Sequence, residues 1–356
     1  MNQLIRVLVV DDSAFMRKVI SDIINSDPRM EVIATGRHGE DAIKKIEEFD
    51  PDVMTLDVEM PIMSGLDALK WIMKKRPMPI VMISSKTKIG AETTLQAMEV
   101  GAVDFITKPS GAISLDIGKV ADEIKEKVYY ASKANVQALQ NEHRPKKVEP
   151  SLIKKDRQAV VGKSSIQKII AIGTSTGGPK ALKTVISQLP ASIQAPVLVV
   201  QHMPAGFTKS LADRLNRLSE LTVKEAKSGD VLENGHVYIA PGGLHLKLVV
   251  QSKALSIQTT LDEPRKGHRP SVDTMFESLA QINQIDVIAV VMTGMGTDGT
   301  IGLKELKKRH NCYSIAEAEE TCVVYGMPKS IVANKLADEV VRVESISHYI
   351  TQYCRG

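Results

Sequence analysis

Residues 7–17 read VLVVDDSAFMR, and residues 168–179 read KIIAIGTSTGGP. Each is a short aliphatic run that stops on polar residues and passes into a helix-like segment. Evenly apolar runs of this length suit strands buried on both faces of a parallel sheet. Outward from the first run, strands are expected at Ile5–Val10, Glu31–Thr35, Val53–Asp57, Ile80–Ser84 and Val103–Ile106, each followed by a helix or loop. This predicts a five-stranded parallel sheet within a first domain, residues 1–127. Outward from the second run, strands are expected at Lys168–Gly173, Pro196–Gln201, Val237–Ala240, Leu244–Val250, Asp286–Met292 and Ser314–Glu317. Helices are expected at Pro179–Gln188, Gly206–Leu218, Ser271–Ile282 and Ile301–Arg309. The second domain, residues 166–356, is therefore read as a doubly wound, mainly parallel α/β fold. Between Val237 and Thr260 the pattern suggests antiparallel strands joined at Pro241-Gly242-Gly243.

Residues 128–165 keep no apolar periodicity for long and are interrupted by Pro145 and Pro150, so they read as a basic interdomain linker. The linker also locates the charge. Eight basic and three acidic residues lie between Lys133 and Lys163, a surplus larger than the net +4 of the whole chain. The basicity is confined to one segment and spares the domain faces, and no helix-turn-helix with a basic face follows, which argues against nucleic acid as a partner. No window offers the roughly 18–20 uninterrupted apolar residues of a membrane span. The apolar start of the chain ends in two aspartates, which reads as a first strand and not as a secretory signal. Cys312, Cys322 and Cys354 lack metal-ligand spacing and cannot all pair, which fits a reducing, cytoplasmic setting.

In a parallel sheet, functional groups gather at the carboxyl ends of the strands. There the first domain places Asp11 and Asp12 after strand one, Asp57 at the end of strand three and Lys108 after strand five. Any one of these alone would read as a helix cap. Three carboxylates together repel one another unless a divalent cation holds them, and hard oxygen ligands suit Mg²⁺. A carboxylate beside Mg²⁺ can attack a phosphoryl group, and a lysine can neutralise the new phosphate oxygens. The segments VLVVDDSAFMR, PDVMTLDVEMPIMSGLDAL and GAVDFITKP resemble the response-regulator receiver family, whose fold is flavodoxin-like. The resemblance implies that Asp57 is the phosphoacceptor and that Asp11, Asp12, Asp57 and the backbone carbonyl of Glu59 hold Mg²⁺. It also implies that Lys108 contacts the phosphate, with Ser84 and Phe105 as the switch pair.

In the second domain, residues 173–179 hold a G-x-S-x-G around Ser175 between a strand and a helix, the setting a nucleophile needs. The spacing matches neither a dinucleotide fingerprint nor a Walker A loop. His202 follows the next strand, and Asp298 lies in the glycine-rich loop after a third. A serine, a histidine and an aspartate at three strand ends of one sheet suit nucleophile, base and orienting carboxylate. The chain holds other histidines, among them His236, His245 and His268, but His202 alone stands at a strand end in the unit beside the serine. The order Ser, His, Asp differs from that of α/β-hydrolases.

The segments IGTSTGGP, VVQHMPAGFT, YIAPGGLH, HRPSVDTMF and MTGMGTDG resemble the catalytic domain of chemotaxis methylesterases, the CheB family, over nearly all of Gln167 to the C-terminus. That resemblance implies the triad Ser175, His202 and Asp298, with the backbone N–H groups of Thr176 and Met295 as oxyanion donors. It further implies hydrolysis of glutamate γ-methyl esters and deamidation of glutamines on chemotaxis receptors, a chemotaxis histidine kinase as phosphodonor, recruitment to receptor arrays, and no cofactor in the esterase site. Two readings compete: a catalytically idle output module, which would leave Ser175 unlabelled by a fluorophosphonate, and a hydrolase of small metabolites, which would not discriminate for methylated receptor.

Overall fold

Five aliphatic runs lie side by side at the start of the chain: β1 (Ile5–Val10), β2 (Met30–Gly36), β3 (Val53–Asp57), β4 (Ile80–Ser84) and β5 (Asp104–Thr107). All pair in parallel, in the order β2-β1-β3-β4-β5. The helices between them are α1 (Ala14–Asn25), α2 (Gly39–Phe49), α3 (Gly65–Lys75) and α4 (Lys88–Val100). The computed structural model describes residues 4–108, 117–140, 166–252 and 254–355. Helix α5 (Ile117–Ala131) continues past the expected boundary at 127, and a short α6 (Val136–Gln140) follows. Residues 128–140, expected as linker, are thus largely helical, and the rest of that segment, 141–165, lies outside the described residues.

The second sheet has seven strands, ordered β14-β13-β12-β6-β7-β9-β8 and parallel throughout. They are β6 (Lys168–Thr174), β7 (Val197–Gln201), β8 (Thr222–Glu225), β9 (His236–Ile239), β12 (Asp286–Val291), β13 (Cys312–Glu317) and β14 (Glu339–Val341). Its helices are α7 (Gly178–Ile186), α8 (Phe207–Leu218), α9 (Val272–Leu279), α10 (Thr300–Arg309), α11 (Met327–Ala333) and α12 (Val343–Arg355). An antiparallel pair, β10 (His245–Gln251) with β11 (Ala254–Thr260), stands apart. The expected join at Pro241-Gly242-Gly243 needs correction. Strand β9 belongs to the main sheet, and the antiparallel pair is β10 with β11, in register down to Gln251 opposite Ala254. Gly242 packs on the backbone after His202, where a Cβ would lie 2.3 Å from the Pro204 carbonyl carbon. The glycine serves that close approach and makes no hairpin turn.

Most helices of the second half start differently from those of the first, with α9, capped by the Ser271 side chain, the exception. Each of α1 to α4 begins on a side-chain cap, from Ser13, His38, Ser64 and Thr87. Helices α7, α8, α10 and α11 begin on Gly177, Gly206, Gly299 and Gly326 with no side-chain cap. A side-chain cap satisfies one of the free N–H groups of the first turn. Here backbone carbonyls serve instead, with Gly178 N donating to Ser175 O at 2.8 Å, Phe207 N to Pro204 O at 3.3 Å, Thr300 N to Thr297 O at 3.2 Å and Met327 N to Gly294 O at 2.9 Å.

The receiver-like half sits against the second sheet. Its buried side chains and those on one face of that sheet form one apolar cluster, and a second cluster fills the opposite face under β10 and β11. Burying apolar surface is favourable by about 25 cal/mol per Å², so a shared cluster draws the halves together. Polar contacts fix its register. Glu99 of α4 pairs with Arg214 of α8, Nε to Oε1 at 2.7 Å, and lies 3.5 Å from Lys183 of α7. Phe105 stacks on Phe207 with centroids 4.5 Å apart.

Candidate active site

The turn after β6 is forced by its glycines. Gly177 takes φ +77, a conformation other residues rarely hold, and Gly294 passes so close that a Cβ would lie 2.7 Å from Ser175 Cβ. Ser175 is left at the turn with 8% exposure. Its N–H donates to the Thr293 carbonyl at 3.0 Å, and its own carbonyl accepts from Gly178 N at 2.8 Å and from the buried Gln201 amide at 2.9 Å. The backbone N–H groups of Thr176 and Met295 make no hydrogen bond among the described residues.

His202 follows β7. Its Nε2 is 2.8 Å from Asp298 Oδ2, and its Nδ1 is buried with no hydrogen-bond partner among the described residues. A carboxylate only accepts, so the neutral ring carries its proton on Nε2 and leaves Nδ1 as a base. No hydrogen bond joins the Ser175 hydroxyl to this ring among the described residues, a looseness common before substrate binds.

Asp298 is held from all sides. Besides His202 it accepts from Ser271 Oγ at 2.9 Å, Val272 N at 2.7 Å, Asp273 N at 2.9 Å and Gly299 N at 3.0 Å. Burial pushes its carboxyl up, but the bond to His202 and the N–H donors outweigh burial and hold it well below the usual carboxylate range. Sequence reasoning missed His268, whose ring stacks on His202 at 3.9 Å and 11°. Burial first, then the neighbouring His202, pushes His268 down to about 4, so it packs as a neutral plate.

At the edge of the first sheet, carboxylate oxygens of Asp11, Asp12 and Asp57 all lie within 4.8 Å of one another. Lys108 Nζ is 2.7 Å from Asp57 Oδ2 and 3.2 Å from Asp11 Oδ2. Among the described residues Asp57 Oδ1 accepts only a long bond from Glu59 N, 3.4 Å. Burial lifts the Asp57 carboxyl to about 6 despite Lys108, with Asp11 adding to the lift. Ser84 and Phe105 point elsewhere. The Ser84 hydroxyl accepts from Thr94 Oγ1 at 2.7 Å and lies 3.2 Å from the Gly90 carbonyl, and Phe105 lies on Phe207.

The first domain reaches the catalytic edge through Asp104, the first residue of β5, at the amino end of that strand and away from the Asp57 cluster; no sequence pattern singles it out. Its Oδ2 accepts the Thr176 hydroxyl at 2.5 Å, in a buried contact one residue past Ser175. Lys127 lies 3.5 Å from its Oδ1.

Together these features define the class: a response regulator whose receiver is joined to a hydrolase domain. Residues 7–116 match the response regulator receiver domain, and residues 170–350 match the CheB methylesterase family. The chain is 54% identical over 355 residues to the protein-glutamate methylesterase/protein-glutamine glutaminase of Halalkalibacterium halodurans, covering 100% of both. It is 49% identical to the protein of the same description from Bacillus subtilis, covering 98% of each. The crystal structure of the Thermotoga maritima CheB methylesterase catalytic domain aligns with a TM-score of 0.51 and 45% identity, over 52% of this chain and 98% of that one. The chain therefore belongs to the CheB family of protein-glutamate methylesterases and protein-glutamine glutaminases.

Proposed function

We propose that this chain hydrolyses glutamate γ-methyl esters on chemotaxis receptors, and deamidates receptor glutamines, through Ser175, His202 and Asp298. The observation that carries the reading is the buried His202–Asp298 bond, which leaves Nδ1 free at the strand end beside Ser175. Ser175 Oγ attacks the ester carbonyl carbon and gives its proton to His202 Nδ1. The oxyanion forms toward the free N–H groups of Thr176 and Met295, each donor contributing about 3 kcal/mol. Collapse expels the methoxy group, which leaves as methanol with the proton from His202. Water, deprotonated by the same ring, then releases the glutamate. With glutamine, ammonia leaves in place of methanol. Asp298 keeps the ring in its tautomer and stabilises the imidazolium throughout.

The first domain supplies control. Asp11, Asp12, Asp57 and the Glu59 carbonyl suit Mg²⁺: the oxygens are hard, they converge, and Asp11 Oδ2 is buried without a directed hydrogen bond although Lys108 lies 3.2 Å away. Held by these oxygens, Mg²⁺ would supply charge neutralisation for an incoming phosphoryl group. Asp57 Oδ2 is the proposed phosphoacceptor and Lys108 the cation that pairs with the phosphate; a histidine kinase of the chemotaxis system is the proposed donor. Recruitment to receptor arrays follows from the substrate. We read 1–127 as the regulatory domain, carried on by helices α5 and α6 to residue 140, and 166–356 as the enzyme. In the unphosphorylated chain the receiver restrains the esterase, a reading supported by the Asp104–Thr176 bond and the Phe105–Phe207 stack at the catalytic edge. Phosphorylation draws Ser84 and Phe105 toward Asp57 and loosens that contact.

The test is methanol release from purified methylated receptor together with fluorophosphonate labelling. Release that requires a labelled Ser175 supports the reading. An unlabelled serine, or equal turnover of small esters, removes it.

A further inference from the structure

We propose that Thr293 and Glu317 are a positioning pair that sets the spacing between the two oxyanion donors, an inference that rests on the reading above. The donors, Thr176 N–H and Met295 N–H, lie beyond the ends of different strands, β6 and β12. Both must point at one oxygen from about 2.7–3.1 Å, so the distance between the two strand ends matters directly. The backbone ladder between them closes with Met292 N donating to the Gly173 carbonyl at 2.9 Å. Past that point Thr293 carries the connection.

Thr293 uses every polar atom it has. Its carbonyl accepts from Ser175 N at 3.0 Å and Thr174 Oγ1 at 2.9 Å. Its hydroxyl lies 3.0 Å from the Thr176 carbonyl, nearer than the 3.3 Å to the Val324 carbonyl, and accepts from Val324 N at 3.0 Å. One buried residue thus ties the residues on either side of the nucleophile to the start of the loop that holds Met295, its carbonyl taking Thr174 and Ser175 and its hydroxyl taking Thr176 and Val324. Thr293 is anchored in turn by Glu317, the last residue of β13, whose Oε2 accepts Thr293 N–H at 2.8 Å while Oε1 accepts from Thr321 Oγ1 at 3.0 Å. Glu317 is 1% exposed, and burial pushes its carboxyl up to about 7. An enclosed carboxyl is costly to bury, which suits a group kept for what it holds in place. The proposed chain of command runs from β13 through Thr293 to both donors and touches no substrate.

The test uses the full-length protein, methylated receptor and the methanol-release assay. Thr293→Val keeps the shape and removes the hydroxyl. We expect kcat to fall about 10- to 100-fold, the scale of a small misplacement, with KM within about twofold. Thr293→Ser, which keeps the hydroxyl, should recover kcat to within about threefold of wild type. Glu317→Leu should follow Thr293→Val, and Glu317→Gln, which keeps an acceptor for Thr293 N–H, should follow Thr293→Ser. Ser175→Ala runs beside them. If Ser175→Ala is inactive while folded Thr293→Val keeps full kcat, the pair has no positioning role. If Ser175→Ala stays active, the triad reading itself fails. A change in KM alone, or loss of folded protein in both Thr293→Val and Glu317→Leu by thermal melting, assigns the pair to binding or stability and overturns the proposal.

Discussion

Two aspartates, Asp57 and Asp298, occupy comparable places: each is buried at the carboxyl edge of a parallel sheet. Their surroundings differ. Asp298 accepts from four groups besides His202, and against the upward push of burial His202 first, then those donors, hold its carboxyl low. Asp57 has Lys108 and one long backbone bond, shares its pocket with two more carboxylates, and is lifted to about 6. A saturated carboxylate has no lone pair to spare and can only orient and stabilise; an underserved one can bind a cation and react. The contrast explains how one fold class, used twice in a chain, supplies a phosphoacceptor at one edge and an orienting group at the other.

The largest effect that would break this comparison lies with the nucleophile. Ser175→Ala should remove methanol release by about a million-fold, since losing the attacking group disables the whole triad. The protein should still fold, because a single hydroxyl at a turn is lost. Retention of even about a tenth of the activity would take Ser175 out of the mechanism.

Asp298→Asn sharpens the contrast next. An amide cannot accept from every donor around it, and it favours the wrong imidazole tautomer. A fall in kcat of about 10⁴, with the fold intact by circular dichroism, is expected from the behaviour of other serine hydrolases. A change smaller than about tenfold would mean that His202 needs no carboxylate.

Asp104→Ala tests the bridge from the start of β5 to the catalytic edge. The bond to Thr176 is buried and charge-assisted, a type of contact that contributes about 1.5–3 kcal/mol. Its loss should raise the unphosphorylated rate by roughly tenfold, the effect of the lower end of that range. The phosphodonor should then add less. An unchanged basal rate would place the restraint elsewhere, for example in the Glu99–Arg214 pair or the Phe105–Phe207 stack.

Much of this was legible in the sequence because fully buried parallel strands read as unbroken aliphatic runs. VLVV, VMTLD, KIIAIG and VIAVV gave away the strands whose ends carry Asp11, Asp57, Ser175 and the loop of Asp298. The edge strands did not announce themselves. β8 is TVKE, four residues with a charged half, and β14 is only EVV, so neither has the apolar content of a buried strand. The PGG tripeptide looked like a hairpin turn, yet its glycine serves a backbone approach that only the folded chain reveals. The supporting residues were equally hidden. Ser271 reaches Asp298 across 27 positions, Glu317 reaches Thr293 across 24, and Asp104 reaches Thr176 across 72. Such contacts follow from packing and leave no local periodicity to read.

The account stands most directly on whether Asp57 governs the Ser175 edge. The deciding measurement is methanol release from methylated receptor by the full-length protein, with Mg²⁺, with and without a small-molecule phosphodonor, in wild type and in Asp57→Asn. The account predicts that the donor accelerates wild type, while Asp57→Asn keeps a basal rate within about twofold of wild type and gains nothing from the donor. Full activation of Asp57→Asn by the donor would contradict it.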